Sequence, residues 1–181
     1  GKLSSWDTLK TIKLEASAWH SSHPLDLHET SYWVYSNPST RSGGDFSPPK
    51  LKVQAIGEEN LVYNLTNQYS ITEGQVLETL AGVCDGSVVT VSSGIYTIPK
   101  VTQEFSLTTS YQDLPGTSIS YKPPPGTNQV IYNFCFTARR GGSGGSGIDA
   151  NGSFKLFLDG TEVTAGRKNF TGEEHTTIPG I

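Results

Sequence analysis

Residues 110–138 read SYQDLPGTSISYKPPPGTNQVIYNFCFTA, and this stretch decides the fold. Val130, Tyr132, Phe134 and Phe136 alternate with Ile131, Asn133 and Cys135, a period of two that belongs to a strand. Apolar side chains on both faces predict a central strand over Val130–Thr137, covered on both sides. Ahead of it, Lys122-Pro-Pro-Pro-Gly126 has three consecutive residues without an N–H donor. That run predicts an exposed polyproline-like turn, preceded by a short strand at Ile119–Tyr121. Downstream, FKLFLDGTEV (Phe154–Val163) reads as a hairpin, because Asp159-Gly160 suits the two positive-φ positions of a type I′ turn.

The same pattern extends outward. Ile12, Leu14 and Ala16 alternate with polar residues over Lys10–Ala18, with Trp6 and Trp19 as flanking anchors, and Leu51, Val53 and Ala55 do so over Lys50–Ile56. Further strands are predicted at Thr30–Tyr35, Val88–Val91, Ile95–Ile98 and Thr176–Ile181. Val76–Ala81 suits a strand or one helical turn. The stretch 57–75 reads as a polar connector with a short strand at Leu61–Leu65. GGSGGSG (141–147) reads as a flexible loop or linker. Short strands closed by glycine-containing turns predict one all-β domain over 1–181, an antiparallel jelly-roll-like sandwich.

Composition agrees and excludes several functions. The 181 residues are 34% hydrophobic, with 20 glycines and no methionine, which suits many short strands with polar turns. The net charge is −4, and no basic run is interleaved with aromatics, so no nucleic-acid partner is expected. No apolar run approaches the ~20 residues of a membrane helix, so no membrane insertion is expected. No signal peptide is visible. Cys84 and Cys135 leave two readings open, a disulfide or two buried thiols.

No stretch carries a catalytic set. His20, His23 and His28 lie near Asp26 and Glu29, but their spacing fits no zinc pattern. They are expected to be solvated loop histidines, with no metal and no cofactor. There is no G-x-S-x-G elbow. Glu58-Glu59 and Glu173-Glu174 are adjacent carboxylates, which read as solvated charge rather than as an acid/base pair. Asn64, Asn151 and Asn169 each open an N-x-[ST] sequon, predicted to lie on the surface if the chain passes a glycosylating compartment. Trp19, Tyr32, Trp33 and Tyr35 could stack sugar rings, against the plainer reading of core and cross-strand aromatic pairing.

GQVLETLAGVCDG (74–86), VTVSSGIYTIP, YQDLPGTSISYKPPPGTNQVIYNFCF and FKLFLDGTEVT, in that order, resemble a group of β-rich proteins of environmental phages and algal viruses. These are mostly without assigned roles and are taken to be virion appendage, fibre or capsid-decoration components. The resemblance covers most of residues 74–165 and implies a jelly-roll-like sandwich without catalytic residues. Residues 1–56 resemble the C-terminal part of the same group, through Ser5-Trp6, Lys10-Thr-Ile-Lys-Leu14 and His28-Glu-Thr-x-Tyr-Trp33. In those proteins that part follows the FKLFLDG hairpin after one further strand, whereas here it comes first and the intervening strand looks absent or reduced. A circular permutant, a segment of a tandem array, or a sheet completed by a neighbouring subunit would each account for this order.

The resulting expectation is a non-enzymatic structural subunit of an extracellular or virion-surface fibre, associating with itself, possibly glycosylated and assembled by strand exchange. The alternative is a carbohydrate-binding module that attaches to surface glycans.

Overall fold

The computed structural model describes residues 2–21, 25–30, 45–57, 75–140, 150–172 and 176–178. Every regular element among them is a strand. In chain order these are β1 (Lys2–Ser4), β2 (Lys10–Ala18), β3 (Leu25–Leu27), β4 (Glu29–Thr30), β5 (Asp45–Phe46), β6 (Lys50–Gly57), β7 (Val76–Val83), β8 (Val88–Val91), β9 (Gly94–Thr97), β10 (Phe105–Ser106), β11 (Gln112–Asp113), β12 (Ile119–Tyr121), β13 (Thr127–Arg140), β14 (Ala150–Leu158), β15 (Thr161–Gly172) and β16 (Thr176–Ile178). All the pairings are antiparallel. No helix among the described residues is long and apolar enough to cross a membrane.

The strand that opened the sequence reading is the hub. β13 pairs with β6 along residues 127–135, with β3 at 138–140, with β16 at 136–138 and with β1 at 129–131. Val130, Tyr132, Phe134 and Phe136 are buried. Ile131, Asn133, Cys135 and Thr137 are only half-buried, so the second face is partly covered rather than sealed. β7 extends β6 and β10 extends β3 to complete this first sheet. The Val76–Ala81 segment is therefore strand, not a helical turn. Glu78 and Leu80 point inward while Thr79 and Ala81 are exposed, which is the period of two.

The second sheet runs β11–β2–β14–β15, with β12 also on β2. Its inner residues Ile12, Leu14, Ala16, Phe154 and Leu156 share one buried cluster with Leu51, Val53, Tyr132 and Phe134 of the first. The Phe136 and Phe154 rings meet across the gap at 5.6 Å. The result is a sandwich-like all-β core in which each fully buried large side chain contributes about 1.5–3 kcal/mol. Asp159 and Gly160 have φ of 49° and 74°, as the type I′ hairpin between β14 and β15 requires.

Trp6 is an anchor, since its indole N–H donates to the Tyr121 carbonyl at 2.8 Å. Trp19 is not: β2 ends at Ala18, and the Trp19 side chain is 76% exposed. His28 is no solvated histidine. It is fully buried and edge-on to Phe134 and Phe136, and its ring nitrogens find no well-aligned hydrogen bond among the described residues, only a weak interaction with the Pro115 backbone.

β1 lies on the edge of β13 away from β6, because Gln129, Val130 and Ile131 pair with both. β16 lies on the edge away from β3, because Ala138 pairs with both. At the end of β3 the His28 N–H donates to Thr137, while the His28 carbonyl accepts from Ser47. This turn hands one edge of β13 from β3 to β6, leaving the opposite edge to β16 and β1. Two short strands of the same chain thus lie along the edge for which a neighbouring subunit's strand was considered, at residues 129–131 and 136–138 of β13.

The cysteines are both free, and the disulfide alternative falls on geometry. Cys135 pairs with Lys50, and Lys50 pairs with Val83. Cys84, the next residue, is therefore two strands away, roughly 10 Å, beyond the reach of a disulfide. Cys84 also faces inward, its thiol 3.5 Å from the Gly116 carbonyl, whereas Cys135 belongs to the outer face of β13.

The short strand at Leu61–Leu65, most of the Thr30–Tyr35 strand, the 141–147 loop, Glu58-Glu59 and Glu173-Glu174 lie outside the described residues.

Candidate functional site

A groove of about 740 Å³ lies between the Ser5–Asp7 loop, the Ser92–Ser93 turn and the Lys122–Thr127 turn. Its proline wall follows directly from sequence, since Pro123 to Pro125 cannot pair in a ladder. Thr127 closes that turn, its backbone N–H and hydroxyl both reaching the Pro124 carbonyl at 3.3 and 2.7 Å. Trp6 forms the floor of the groove, held by its bond to Tyr121.

The serine wall is fixed by a buried carboxylate. Glu78 on β7 is 6% exposed. Its Oε2 accepts from the Ser92 hydroxyl at 2.5 Å and the Ser93 N–H at 2.7 Å, and its Oε1 from the Ser93 hydroxyl at 2.6 Å and the Tyr121 hydroxyl at 2.7 Å. Tyr96 extends the network, its hydroxyl within 3.0 Å of Ser93 Oγ and donating to the Lys122 carbonyl at 3.1 Å. Burial raises the Glu78 pKa, but the bonds from Ser92, Ser93 and Tyr121 outweigh it and hold the carboxyl below its ordinary range. Burial, and then the adjacent carboxylate, push the Tyr121 hydroxyl up. Glu78 therefore has neither a proton to give nor a free lone pair aimed at the groove. It is a rivet between β7, the β8–β9 hairpin and β12.

Sequence reasoning did not find this cluster. Glu78 sits in Val-Leu-Glu-Thr-Leu, where the apolar alternation gives no sign that a carboxylate faces inward. Its partners come from two distant segments, the Ser92–Ser93 turn and β12.

Of the residues expected to stack sugars, Trp19 is exposed, while Tyr32, Trp33 and Tyr35 lie outside the described residues, as does the sequon residue Asn64. Asn151 is half-buried, and its amide oxygen is enclosed without a hydrogen-bond partner among the described residues. Asn169 is exposed on β15, paired in register with Ser153, whose hydroxyl donates to it at 3.0 Å. Among the described residues no group of His, Cys, Asp and Glu is arranged to hold a metal. Burial pushes the Cys84 thiol up to about 12, which disfavours the thiolate form that reacts.

The outer face of the second sheet carries interlocking ion pairs. Lys13 bridges Glu15 and Asp113 at 3.1 and 2.6 Å, Lys155 reaches Glu162 at 3.7 Å, and Arg167 grips Glu162 with two nitrogens. Lys155 also lies 4.0 Å from the Tyr111 ring centroid. Positive and negative side chains alternate there, so this face presents no single-sign field to a polyanion.

Compared with family models, curated proteins and solved structures, the chain finds no match.

Proposed function

We propose that this chain is a non-enzymatic structural subunit of an extracellular or virion-surface fibre, with further copies of itself as its partner. The observation that carries the reading is the saturation of Glu78. The buried carboxylate beside the groove spends both oxygens on fixing a hairpin, so the groove is framed as a rigid shape rather than as a reaction chamber. The resemblance of residues 74–165 to virion appendage proteins supports the same conclusion and supplies the location. Because the edge of β13 is filled from within the chain, copies would meet by surface contact rather than by donating a strand. In a glycosylating compartment Asn169 is the acceptor best placed for a sugar. Negative-stain microscopy and sedimentation velocity across rising concentration test the proposal. Ordered assemblies are expected, and a chain that stays monomeric at the highest concentration would count against it.

A second reading, attachment to surface glycans, is favoured by Trp19, whose broad ring stands in solvent at the end of β2. Pyranose faces pack on such rings. Glycan-array binding abolished by Trp19→Ala, with the fold retained, would favour that reading over the first.

A further inference from the structure

Between the two sheets lies a cavity of about 190 Å³, floored by Leu14, Tyr132 and Leu156. All three are buried residues on the core-facing sides of β2, β13 and β14. The Tyr132 hydroxyl donates to the Thr117 carbonyl at 2.7 Å, so its polar atom is already engaged and the floor is apolar. One wall comes from an irregularity in β15. Val163 pairs with Leu156 and Lys168 with Phe154, so residues 164–167 stand against Lys155 alone. This bulge lays Gly166 on Leu156, where an added Cβ would come within 2.8 Å of the Leu156 Cβ. Lys2 and Lys168 complete the lining. Both are exposed, so they mark the mouth. Lys168 stands directly opposite the core residue Phe154, and directly paired residues share a face, so a lysine holds a core-facing position. Among the described residues neither lysine takes part in an ion pair, and no acid lines the cavity.

We propose that this cavity is a binding site for a small amphiphilic anion, an apolar body of about six carbons bearing one carboxylate. The body lies against Leu14, Leu156 and the Tyr132 ring, and the carboxylate sits at the mouth between the two ammonium groups. Size and charge each select. An apolar cavity of about 150 Å³ accepts benzene, so six carbons fill this one and a long acyl chain exceeds it. Two cations with no acid beside them favour a carboxylate over a neutral or cationic head. A plainer role for Lys168 is as an inward-facing charge that keeps the edge strand β15 from pairing with another sheet. That role accounts for one lysine, and for neither the cavity nor Lys2. The inference stands apart from the fibre reading, since it concerns the space between the sheets rather than the surfaces by which copies would meet.

The experiment is a methyl NMR titration of the full chain with sodium hexanoate, hexanol and sodium decanoate. Hexanoate should shift the Leu14 and Leu156 methyl signals saturably. Hexanol should move the same signals, but bind roughly two- to fivefold more weakly for each lysine it fails to engage. Decanoate should gain little over hexanoate, because its extra carbons find no room; a surface that merely adsorbs detergent would gain about fourfold per added carbon. In the double variant Lys2→Gln/Lys168→Gln, hexanoate should fall to the affinity of hexanol or below it, while hexanol binding stays unchanged and reports an intact cavity. The comparison of hexanoate with hexanol on the parent chain decides the matter even if that variant fails to fold. No saturable shift at Leu14 and Leu156, equal affinity of the parent for hexanoate and hexanol, a steady gain per carbon through decanoate, or a double variant that binds hexanoate as before would each overturn the proposal.

Discussion

Replacing Glu78 by Gln keeps the shape of the rivet and removes its charge. A hydrogen bond to a charged acceptor contributes about 1.5–3 kcal/mol, against about 0.5–1.5 for a neutral one. Four donors converge on this carboxylate, and an amide can accept on one side only. The Ser93 N–H is fixed and cannot reverse, so the amide oxygen takes the place of Oε2. The amide nitrogen then faces the Ser93 and Tyr121 hydroxyls, which must rotate from donating to accepting. Two bonds weaken and two are rebuilt, at a cost of about 2–3 kcal/mol. At about 2–4 °C per kcal/mol for a chain of this size, Tm should drop by about 4–12 °C. The pH dependence has a definite sign. Since the folded pKa lies below the ordinary 4.5, the stability contributed by the carboxylate is present above that value. It is lost as the pH falls through the folded pKa. The gap between Glu78→Gln and the parent should therefore narrow in acid. Urea denaturation at several pH values reads both effects. A loss under about 0.5 kcal/mol, the range of ordinary surface changes, or a gap that stays constant into acid, would refute the reasoning.

Other outcomes follow from single residues. Burial lowers the His28 pKa from 6.5 to about 4, the Pro115 backbone opposing it. Stability should then fall as the pH drops from 6.5 toward 4, by about 3 kcal/mol in all, and His28→Phe should flatten that part of a Tm-versus-pH curve; an unchanged slope would count against a buried neutral ring. Gly116 has φ +85°, and an added Cβ would lie 2.7 Å from Val101 Cγ2, whereas at Gly160 (φ +74°) it would meet nothing within 4 Å. Calorimetry should find Gly160→Ala costing about 1 kcal/mol and Gly116→Ala about 2–4; equal costs would contradict the packing. In thiol titration of the folded protein Cys84 should stay unmodified, and denaturation should release two thiols, with no disulfide in the intact mass. Trp19→Ala should change stability by no more than about 0.5 kcal/mol, while abolishing any glycan binding that the second reading requires.

Sequence exposed the parts of this fold that are set locally. Strict alternation placed β2, β6 and β13, and Asp159-Gly160 placed the β14–β15 turn, because each depends on residues a few positions apart. What it missed depends on distant partners. His28 sits in a Ser/Pro-rich stretch that reads as solvated loop, yet the β3 pairing with β13 draws it under Phe134 and Phe136. Glu78 looks like an ordinary polar position in a strand until Ser92, Ser93 and Tyr121 arrive to satisfy it. Neither β1 nor β16 stands out in the sequence, because each is only three residues long and is held by its pairing with distant β13.

The most direct test of that pairing is a nuclear Overhauser measurement on dilute protein, with isotope-labelled and unlabelled chains mixed so that contacts within and between molecules separate. The fold described here predicts intramolecular cross-strand contacts from Leu3 to Val130 and from Thr177 to Thr137 in the isolated chain. Their absence, or their appearance only between labelled and unlabelled molecules, would show that another subunit supplies this strand and would contradict the account.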